Sequence, residues 1–372
     1  MRYLFFANTP AHVHLYKHAA TTLAEEGHDV LVLARDYGCT VALAERYDLP
    51  FEVYGKCETT LGSLAMNLPP QVTRVLRRAR AFDPDLIFGI GAYATMAGLA
   101  TGTPPVLVLD SEPTGLDHAV SRPFARAILT PAAFRKSLGD DHYVFRGFKE
   151  SAYLHPDRFS PSGDVRERLG LDPDDRFAIV RFNAFGSSHD VGHGGFSPDE
   201  RRRLVETLAD HATVLVSDEA GDLEFSGLPA RPFDLHPADI HDALWAADLL
   251  VADTQTMVTE AALLGTPAVR SNSFVGEDDM GNFLELERRD LVRNCATFEE
   301  ARETAEGLVA DPEAKTRWRR RRDRYVADQV DLTAVLLSVA RRPDDVAGVE
   351  GLRPFGTDGR TGDSGVGTPS GT

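Results

Sequence analysis

The segment "DLLVADTQTMVTEAALLGTPAVR", residues 248–270, joins a short apolar run to a polar turn and then to a helical stretch. A short apolar run bounded by turn residues is typical of a buried strand in a parallel sheet, and the helical stretch supplies the crossover to the next strand. Gly265 and Pro267 end the helix, and a second short apolar run follows them. The segment therefore predicts a strand–helix–strand unit of an α/β domain.

The same alternation continues through both halves of the chain. A length of 372 residues is too great for one ordinary core, so two Rossmann-like domains are expected, each with a doubly wound parallel sheet. A long helix over 60–82 is expected to be interrupted by Pro69 and Pro70. The expected strands of the first half are 3–7, 29–34, 51–55, 85–90 and 105–110. Those of the second half are 177–182, 213–218, 248–253 and 267–270.

The predicted domain boundary lies in a stretch rich in proline, serine and glycine, "HPDRFSPSG", residues 155–163. The first domain is expected to span residues 1–155 and the second residues 156–335. A long helix over about 311–340 is expected to end the second domain. The tail 341–372 is full of glycine, proline, aspartate and threonine and has no apolar periodicity, so disorder is predicted there.

The bulk composition excludes several classes of protein. A net charge of −17 argues against a nucleic-acid partner, and the basic run "RWRRRR", residues 317–322, is interpreted as a solvated helix face. Only five of the 40 basic residues are lysines, and an acidic, arginine-rich surface suits a salt-rich cytoplasm, which predicts a halophilic archaeal source. No apolar stretch is long enough to span a bilayer or resembles a signal peptide, so a cytoplasmic location is expected. The three scattered cysteines suggest neither a disulfide framework nor a zinc site.

The turn after the strand at 248–253 predicts an anion site. Asp253, Thr254, Gln255 and Thr256 occupy the turn and the helix start, where unpaired backbone N–H groups and a partial positive charge favour phosphate. The threonine hydroxyls would add hydrogen bonds, and Glu260 on the same helix would reach ribose hydroxyls. Threonine and aspartate also cap helices generally, so a purely structural role stays open.

Two further segments follow strands of the first half, where open parallel sheets place their ligands. "NTPAHVHLYKHA", residues 8–19, contains three histidines, and His14 is the candidate general base because the pKa of a histidine lies near neutrality. Zinc binding by His14 and His18 is not favoured, because no carboxylate-rich partner lies nearby in the sequence. Asp110 and Glu112 would both face the cleft if their strand stays extended, and either could accept or abstract a proton. A turn-forming role for this pair is an equal alternative.

The segment "VRFNAFGSSHDVGHGG", residues 180–195, follows the first strand of the second half. Arg181 could neutralise a diphosphate there, and Asn183 could hydrogen-bond to it. The glycine-rich loop that follows can approach a ligand closely, and its polar candidates are Ser187, Ser188 and His189. Lys149 lies near the expected hinge and could also reach a phosphate.

The stretch "DTQTMVTEAALLGTPAVR", residues 253–270, resembles the nucleotide-binding motif of GT-B glycosyltransferases and of the non-hydrolysing UDP-N-acetylglucosamine 2-epimerase. That motif reads Asp-Ser-Gly-Gly, then Glu-Ala, then Gly-x-Pro with a downstream arginine. The resemblance places Thr254 at the serine that contacts the diphosphate, Glu260 at the glutamate that binds ribose, and Arg270 at the arginine. The glycine pair of the motif is replaced here by Gln255 and Thr256.

Segments 8–36, 144–156 and 180–196 together identify the chain as resembling the DUF354 family over roughly residues 1–335. The resemblance implies an α/β GT-B fold, with two Rossmann-like domains and a cleft between them. It also implies metal-independent glycosyl transfer, without a cofactor, from a nucleotide diphosphate sugar that is expected to be UDP-linked. The acceptor, lipid-linked or glycan, stays open, as do peripheral membrane contact and the oligomeric state. A sugar-nucleotide 2-epimerase and a non-catalytic nucleotide-sugar binding protein are the alternatives.

Overall fold

The structure of the chain, a computed structural model, describes residues 1–56, 61–113, 115–183, 194–219, 221, 223–276 and 279–357. Within these residues the chain forms two separate β-sheets whose strands are joined mainly by helices. All neighbouring strands run parallel except at one edge of the first sheet. This architecture confirms the predicted α/β class with two Rossmann-like sheets.

The first sheet has eight strands, in the spatial order β14-β7-β6-β5-β4-β1-β2-β3. In chain order they are β1 (Arg2–Ala7), β2 (Asp29–Asp36), β3 (Phe51–Lys56), β4 (Leu86–Gly89), β5 (Val106–Val108), β6 (Ala127–Pro131), β7 (His142–Phe145) and β14 (Leu352–Pro354). Strands β6 and β7 were not among the strands expected from the sequence. Both are short and lie between irregular segments, so their apolar runs carry little periodic signal.

Six helices accompany the first sheet: α1 (Pro10–Glu25), α2 (Thr40–Arg46), α3 (Leu61–Phe82), α4 (Ala92–Thr101), α5 (Gly115–Ser121) and α6 (Ser151–Leu154). Helix α3 is continuous, so the predicted interruption at Pro69 and Pro70 is wrong. The fixed φ of proline lies in the helical range, and a proline pair can therefore stay inside a helix at the expense of its backbone donors.

The second sheet has six parallel strands in the order β10-β9-β8-β11-β12-β13. In chain order they are β8 (Phe177–Phe182), β9 (Thr213–Asp218), β10 (Ala230–Pro232), β11 (Leu249–Ala252), β12 (Ala268–Arg270) and β13 (Arg293–Asn294). Its helices are α7 (Val165–Arg168), α8 (Pro198–Ala209), α9 (Ile240–Ala246), α10 (Thr256–Leu264), α11 (Gly281–Arg288), α12 (Phe298–Ala310) and α13 (Ala314–Val326). Helix α8 begins with a capping box between Ser197 and Glu200, as its sequence indicates.

The C-terminal part of the chain returns to the first sheet. The predicted single helix over 311–340 is two helices, α13 and α14 (Leu332–Arg341), and α14 packs against α1 and α6. Strand β14 then pairs antiparallel with β7. The prediction of disorder from residue 341 is therefore wrong for residues 341–357, because backbone pairing at a sheet edge needs little apolar periodicity. Residues 358–372 lie outside the described residues.

The carboxyl ends of the two sheets face each other. Strands β1, β4, β8 and β11 are almost entirely buried, so only the loops at their ends are accessible to a ligand. The loop after β5 contacts the start of α11, and α6 contacts α10. We call the region between these two edges the cleft. None of the described helices is both long enough and apolar enough to cross a membrane.

Candidate functional site

The start of α10 is the candidate anion seat on the second domain. The residue before the helix, Gln255, supplies no side-chain cap, so the first backbone N–H groups of α10 have no side-chain partner. The Thr254 hydroxyl is buried and accepts or donates no hydrogen bond with any described residue. Neither Gln255 nor Thr256 is among the described residues with positive φ, so the turn does not need the glycine pair of the related motif. These features suit a phosphate.

Asp253 supports this seat from beneath rather than facing a ligand. Its buried carboxylate accepts hydrogen bonds from the backbone N–H groups of Asn183 (2.7 Å) and Phe196 (3.3 Å). Burial raises the pKa of this carboxyl to about 6, although the two backbone bonds oppose the rise. Asp253 thus ties both ends of the loop 184–193 to the turn. Ser187, Ser188 and His189 belong to that loop and lie outside the described residues.

Glu260 lies in a buried cluster at the junction of the two domains. Its Oε1 accepts hydrogen bonds from the Tyr153 hydroxyl (2.8 Å) and from Nε2 of His241 (3.0 Å). The side chain is only 4% exposed, so contact with a ribose would require it to leave these partners. The sequence predicted the helix that carries Glu260, but it could not indicate that Tyr153 from α6 would donate a hydrogen bond to the Glu260 carboxylate.

His14 belongs to the same buried cluster and does not face the cleft. Its ring centroid lies 4.6 Å from that of His241 and 5.2 Å from that of Tyr153, and Nδ1 lies 3.3 Å from the Tyr47 hydroxyl. Burial lowers the pKa of His14 well below its ordinary value. The prediction of His14 as the general base therefore does not fit its position, because aromatic rings enclose it.

His12 is also buried, and it lies on the other side of α1, near the carboxyl end of β1. Its Nδ1 accepts a 3.2 Å hydrogen bond from the backbone N–H of Asn8, at the carboxyl end of β1. Burial lowers the pKa of His12 well below its ordinary value, and the nearby charges of Lys149 and Arg35 lower it further. His12 is therefore neutral at physiological pH, and its one ring proton lies on Nε2 because Nδ1 accepts from Asn8.

Lys149 and Asp110 form an ion pair beside His12. The Lys149 Nζ lies 2.7 Å from Oδ2 of Asp110 and 3.9 Å from Oε1 of Glu150. Burial opposes the charged form of Lys149, but the two carboxyl groups together raise its pKa above the ordinary value. Burial also raises the pKa of Glu150, whose Oε2 has no hydrogen-bond partner among the described residues. The structure thus brings Lys149 and Asp110 together, although the sequence analysis treated them as candidates in two separate segments.

Glu112 does not join Asp110 in the cleft. Its Oε1 accepts hydrogen bonds from the backbone N–H groups of Gly281 (3.1 Å) and Arg135 (3.2 Å), and the residue is buried. Burial raises its pKa. The expectation that both acids face the cleft is wrong because β5 ends at Val108, so residues 110 and 112 no longer alternate as in an extended strand. Glu112 instead fastens the first domain to the start of α11.

The two arginines of the predicted site differ in accessibility. Arg181 ends β8 half-buried and donates to Ser217 Oγ and Glu219 Oε2, each at 2.8 Å. Arg270 is fully buried, pairs with Asp279 at 2.5 Å, and stacks on Phe283 with 3.7 Å between guanidinium carbon and ring centroid. The prediction that Arg270 binds the nucleotide is therefore corrected: its guanidinium is committed to the core of the second domain.

Tyr153, His241 and Asp279 could not be found from the sequence, because only the folded chain brings each of them against its partner. His12 lies in the same segment as His14, residues 8–19, and the two side chains differ only in the side of α1 on which they lie. Within the described residues, no group of three histidine, cysteine, aspartate or glutamate side chains could hold a metal ion.

Two facing parallel sheets, with an uncapped helix start at the carboxyl end of β11, define a two-domain α/β protein of the GT-B fold. The chain belongs to the DUF354 family, a family of proteins of unknown function whose model matches residues 3–323. None of the curated proteins matches it in sequence.

Solved structures with the same fold have low sequence identity to this chain. A putative UDP-N-acetylglucosamine 2-epimerase from Listeria monocytogenes is 14% identical with a TM-score of 0.63, and the match covers 93% of this chain and 96% of that one. S. aureus MnaA, solved with UDP, is 10% identical with a TM-score of 0.67 over 93% and 97% of the two chains. The glycosyltransferase VinC, solved with DTDP, is 15% identical with a TM-score of 0.59 over 92% and 100%.

Proposed function

We propose that this protein is a glycosyltransferase that binds a nucleotide diphosphate sugar, expected to be UDP-linked, in the cleft. The observation that carries the proposal is the start of α10, which Gln255 does not cap, with a buried Thr254 hydroxyl that has no hydrogen-bond partner among the described residues. Backbone donors at a helix start bind phosphate through hydrogen bonds and through the partial positive charge of the helix. The solved structures of the same fold with bound UDP or DTDP support this choice of ligand.

The leaving group of such a transfer is a nucleoside diphosphate, so stabilising its charge is the main task of the protein. The start of α10 serves the diphosphate, and Arg181 at the end of β8 adds positive charge that Glu219 partly offsets. Glu260 contacts the ribose only if its carboxylate exchanges the hydrogen bond from Tyr153 for one from a ribose hydroxyl. Arg270 has no part in binding.

His12 is the residue we assign as general base in place of His14. An acceptor hydroxyl replaces the Asn8 N–H at Nδ1 of neutral His12 and gives that nitrogen its proton, while the hydroxyl oxygen forms a bond to the anomeric carbon of the donor. The bond between that carbon and the diphosphate oxygen breaks, and the electron pair leaves with the diphosphate.

The epimerase alternative is less well supported by the geometry. An epimerase must remove a proton from the sugar and return one to it, and the sequence offered Asp110 and Glu112 for these roles. Glu112 is bound to backbone groups of Arg135 and Gly281 and buried away from Asp110's ion pair. A non-catalytic binding protein would use the same seat at α10 without turnover.

The proposal is tested first by titrating the protein with UDP in a calorimeter. Thr254→Glu places a negative charge at the seat and is expected to weaken UDP binding by about tenfold or more. Thr21→Glu makes the same chemical change at an exposed position of α1 and is the matched control. Equal UDP affinity in the two variants would remove the seat from the proposal.

The reaction type is tested by incubating the protein with UDP-N-acetylglucosamine alone. A transferase releases UDP slowly by transfer to water and faster when a suitable acceptor is added. An epimerase converts the donor into a new sugar nucleotide without any acceptor. A binding protein is stabilised against heat by the nucleotide but forms no product in either mixture.

A further inference from the structure

A second groove lies at the hinge, away from the seat at α10. It has a volume of about 750 Å³ and is bordered by the loops after β6 and β7, by the end of α11 and by one face of α13. Six arginines line it, from both domains: Arg146, Arg288, Arg289, Arg321, Arg324 and Arg353. We call this space the hinge groove.

The charge of the hinge groove is opposite to that of the chain as a whole. Three acidic residues, Glu285, Asp290 and Asp328, also line it, so six positive and three negative charges leave a net charge of +3. The whole chain carries −17. A local excess of positive charge on a strongly acidic protein concentrates anions at that position.

Much of this positive charge is not neutralised by the neighbouring acids. Glu285 pairs with both Arg288 and Arg289, and Asp290 pairs with Arg321 at 3.9 Å. Arg146 is exposed, and its guanidinium makes no hydrogen bond or ion pair within the part of the chain that the structure describes.

Arg324, on the facing wall, also lacks an acidic partner. Its Nε donates only to the Arg320 carbonyl, 3.2 Å away, and no described carboxylate lies within 4 Å of it. Burial lowers the pKa of Arg321, and the nearby positive charge of Arg324 contributes to the same direction. Like charges are therefore crowded on this wall, which an anionic ligand would relieve.

The connection that returns from α13 to α14 borders the groove and bonds to the first domain after β7. The Val330 N–H donates a 2.9 Å hydrogen bond to the Arg146 carbonyl, and the Ser151 hydroxyl donates to Gln329 Oε1 at 3.2 Å. Gly147 lines the groove with φ of +139°, and a Cβ there would lie 2.8 Å from the Ser151 hydroxyl oxygen. A ligand in the groove would thus contact the first domain through Arg146 and the second through α11 and α13.

We infer that the hinge groove binds a small anion with two or more phosphate groups and thereby bridges the two domains. Guanidinium groups suit this ligand because their planar donors match phosphate oxygens in pairs. Several arginines spread over two walls suit a di- or triphosphate better than a single phosphate. The site is separate from the seat at α10 and does not depend on the proposed transferase activity.

The test measures tripolyphosphate binding by calorimetry to the full-length protein, and it compares a groove variant with a control variant that both keep the seat at α10 unchanged. Wild-type protein is expected to bind tripolyphosphate, and Arg146→Gln combined with Arg324→Gln is expected to weaken that binding by about tenfold or more. The matched control combines Arg77→Gln and Arg202→Gln, which removes the same charge from exposed positions outside the groove.

Two results would overturn the inference: equal binding in the groove and control variants, or an equal effect of sulfate at matched ionic strength. A free diphosphate and a lipid diphosphate share this chemistry. Co-sedimentation with phosphatidylcholine vesicles that contain geranylgeranyl diphosphate separates them, because recruitment that is lost in the groove variant identifies the lipid source. Tripolyphosphate binding without such recruitment identifies the free source.

Discussion

The hydroxyl of Tyr153 donates a 2.8 Å hydrogen bond to the carboxylate of Glu260, and both side chains are buried where the two domains meet. Tyr153 lies in α6, just after the chain leaves the first sheet at β7, whereas Glu260 lies in α10, whose start is the candidate seat. The same carboxylate accepts from His241. The helix that carries the candidate seat and the contact between the domains therefore share one side chain.

Tyr153→Phe removes this bond and leaves Glu260 with one fewer donor in a buried place. We expect the free energy of unfolding to fall by about 1–3 kcal/mol, because a buried carboxylate that loses a hydrogen-bond donor cannot replace it with water. Tyr143→Phe is the control, since its hydroxyl has no hydrogen bond among the described residues. Denaturant unfolding of both variants measures the effect, and equal stabilities would show that the bond contributes nothing.

His12→Gln is expected to lower kcat by about 100-fold or more while the KM for the donor changes little, because it removes the base but not the diphosphate seat. His18→Gln on the same helix serves as the control. The measurement is UDP release from a UDP-linked sugar donor, with and without acceptor. Unchanged kcat in the His12 variant would eliminate it as the base.

Asp253 makes a specific contribution to the pH dependence of stability. Burial raises the pKa of its carboxyl to about 6, above the ordinary value near 4, so the folded state holds a proton that the unfolded state has released. Stability from this group is therefore present at the acid end and is lost as the pH rises from about 4 to 6, by on the order of 2 kcal/mol.

Asp253→Asn abolishes this titration and keeps an oxygen acceptor for one of the two backbone N–H groups, which bind different carboxylate oxygens. The difference in unfolding free energy between wild type and variant should change across that pH window and be flat above it. Urea unfolding at several pH values provides the comparison. A constant difference from pH 4 to 7 would mean that the Asp253 carboxyl titrates normally.

Arg270→Met leaves the buried carboxylate of Asp279 without its partner. We expect a loss of about 3–5 kcal/mol in the free energy of unfolding. Arg78→Met breaks a partly exposed pair with Glu52 and should cost less than about 1 kcal/mol. Replacing Arg270 and Asp279 together by apolar residues should recover part of the loss. If Arg270→Met unfolds like wild type but binds UDP more weakly, the arginine contacts the nucleotide after all.

The architecture could be predicted largely from the sequence because its central strands are continuous apolar runs that must be buried. Strands β1, β8 and β11 stand out in this way, and the capping box of α8 marks its start. Strand β14 could not be predicted, since "LRP" has a single large apolar residue and its place depends on a partner about 200 residues earlier in the chain.

The site could be predicted only in part. The turn between β11 and α10 was recognised because a strand followed directly by a helix start is a local feature. The environments of His12 and His14, by contrast, depend on contacts with distant parts of the chain. Two residues along a helix turn a side chain through about 200°, so one histidine meets the cleft side and the other meets the second domain. Only the position of α9 decides which is which.

The return of α14 and β14 to the first sheet means that this domain is assembled from both ends of the polypeptide. During synthesis on the ribosome, the second domain emerges before the first can complete its edge strand. A recombinant fragment that stops at residue 155 would expose the edge of β7 and one side of α1. An isolated first domain would therefore have to be built by fusing residues 331–357 to residues 1–155.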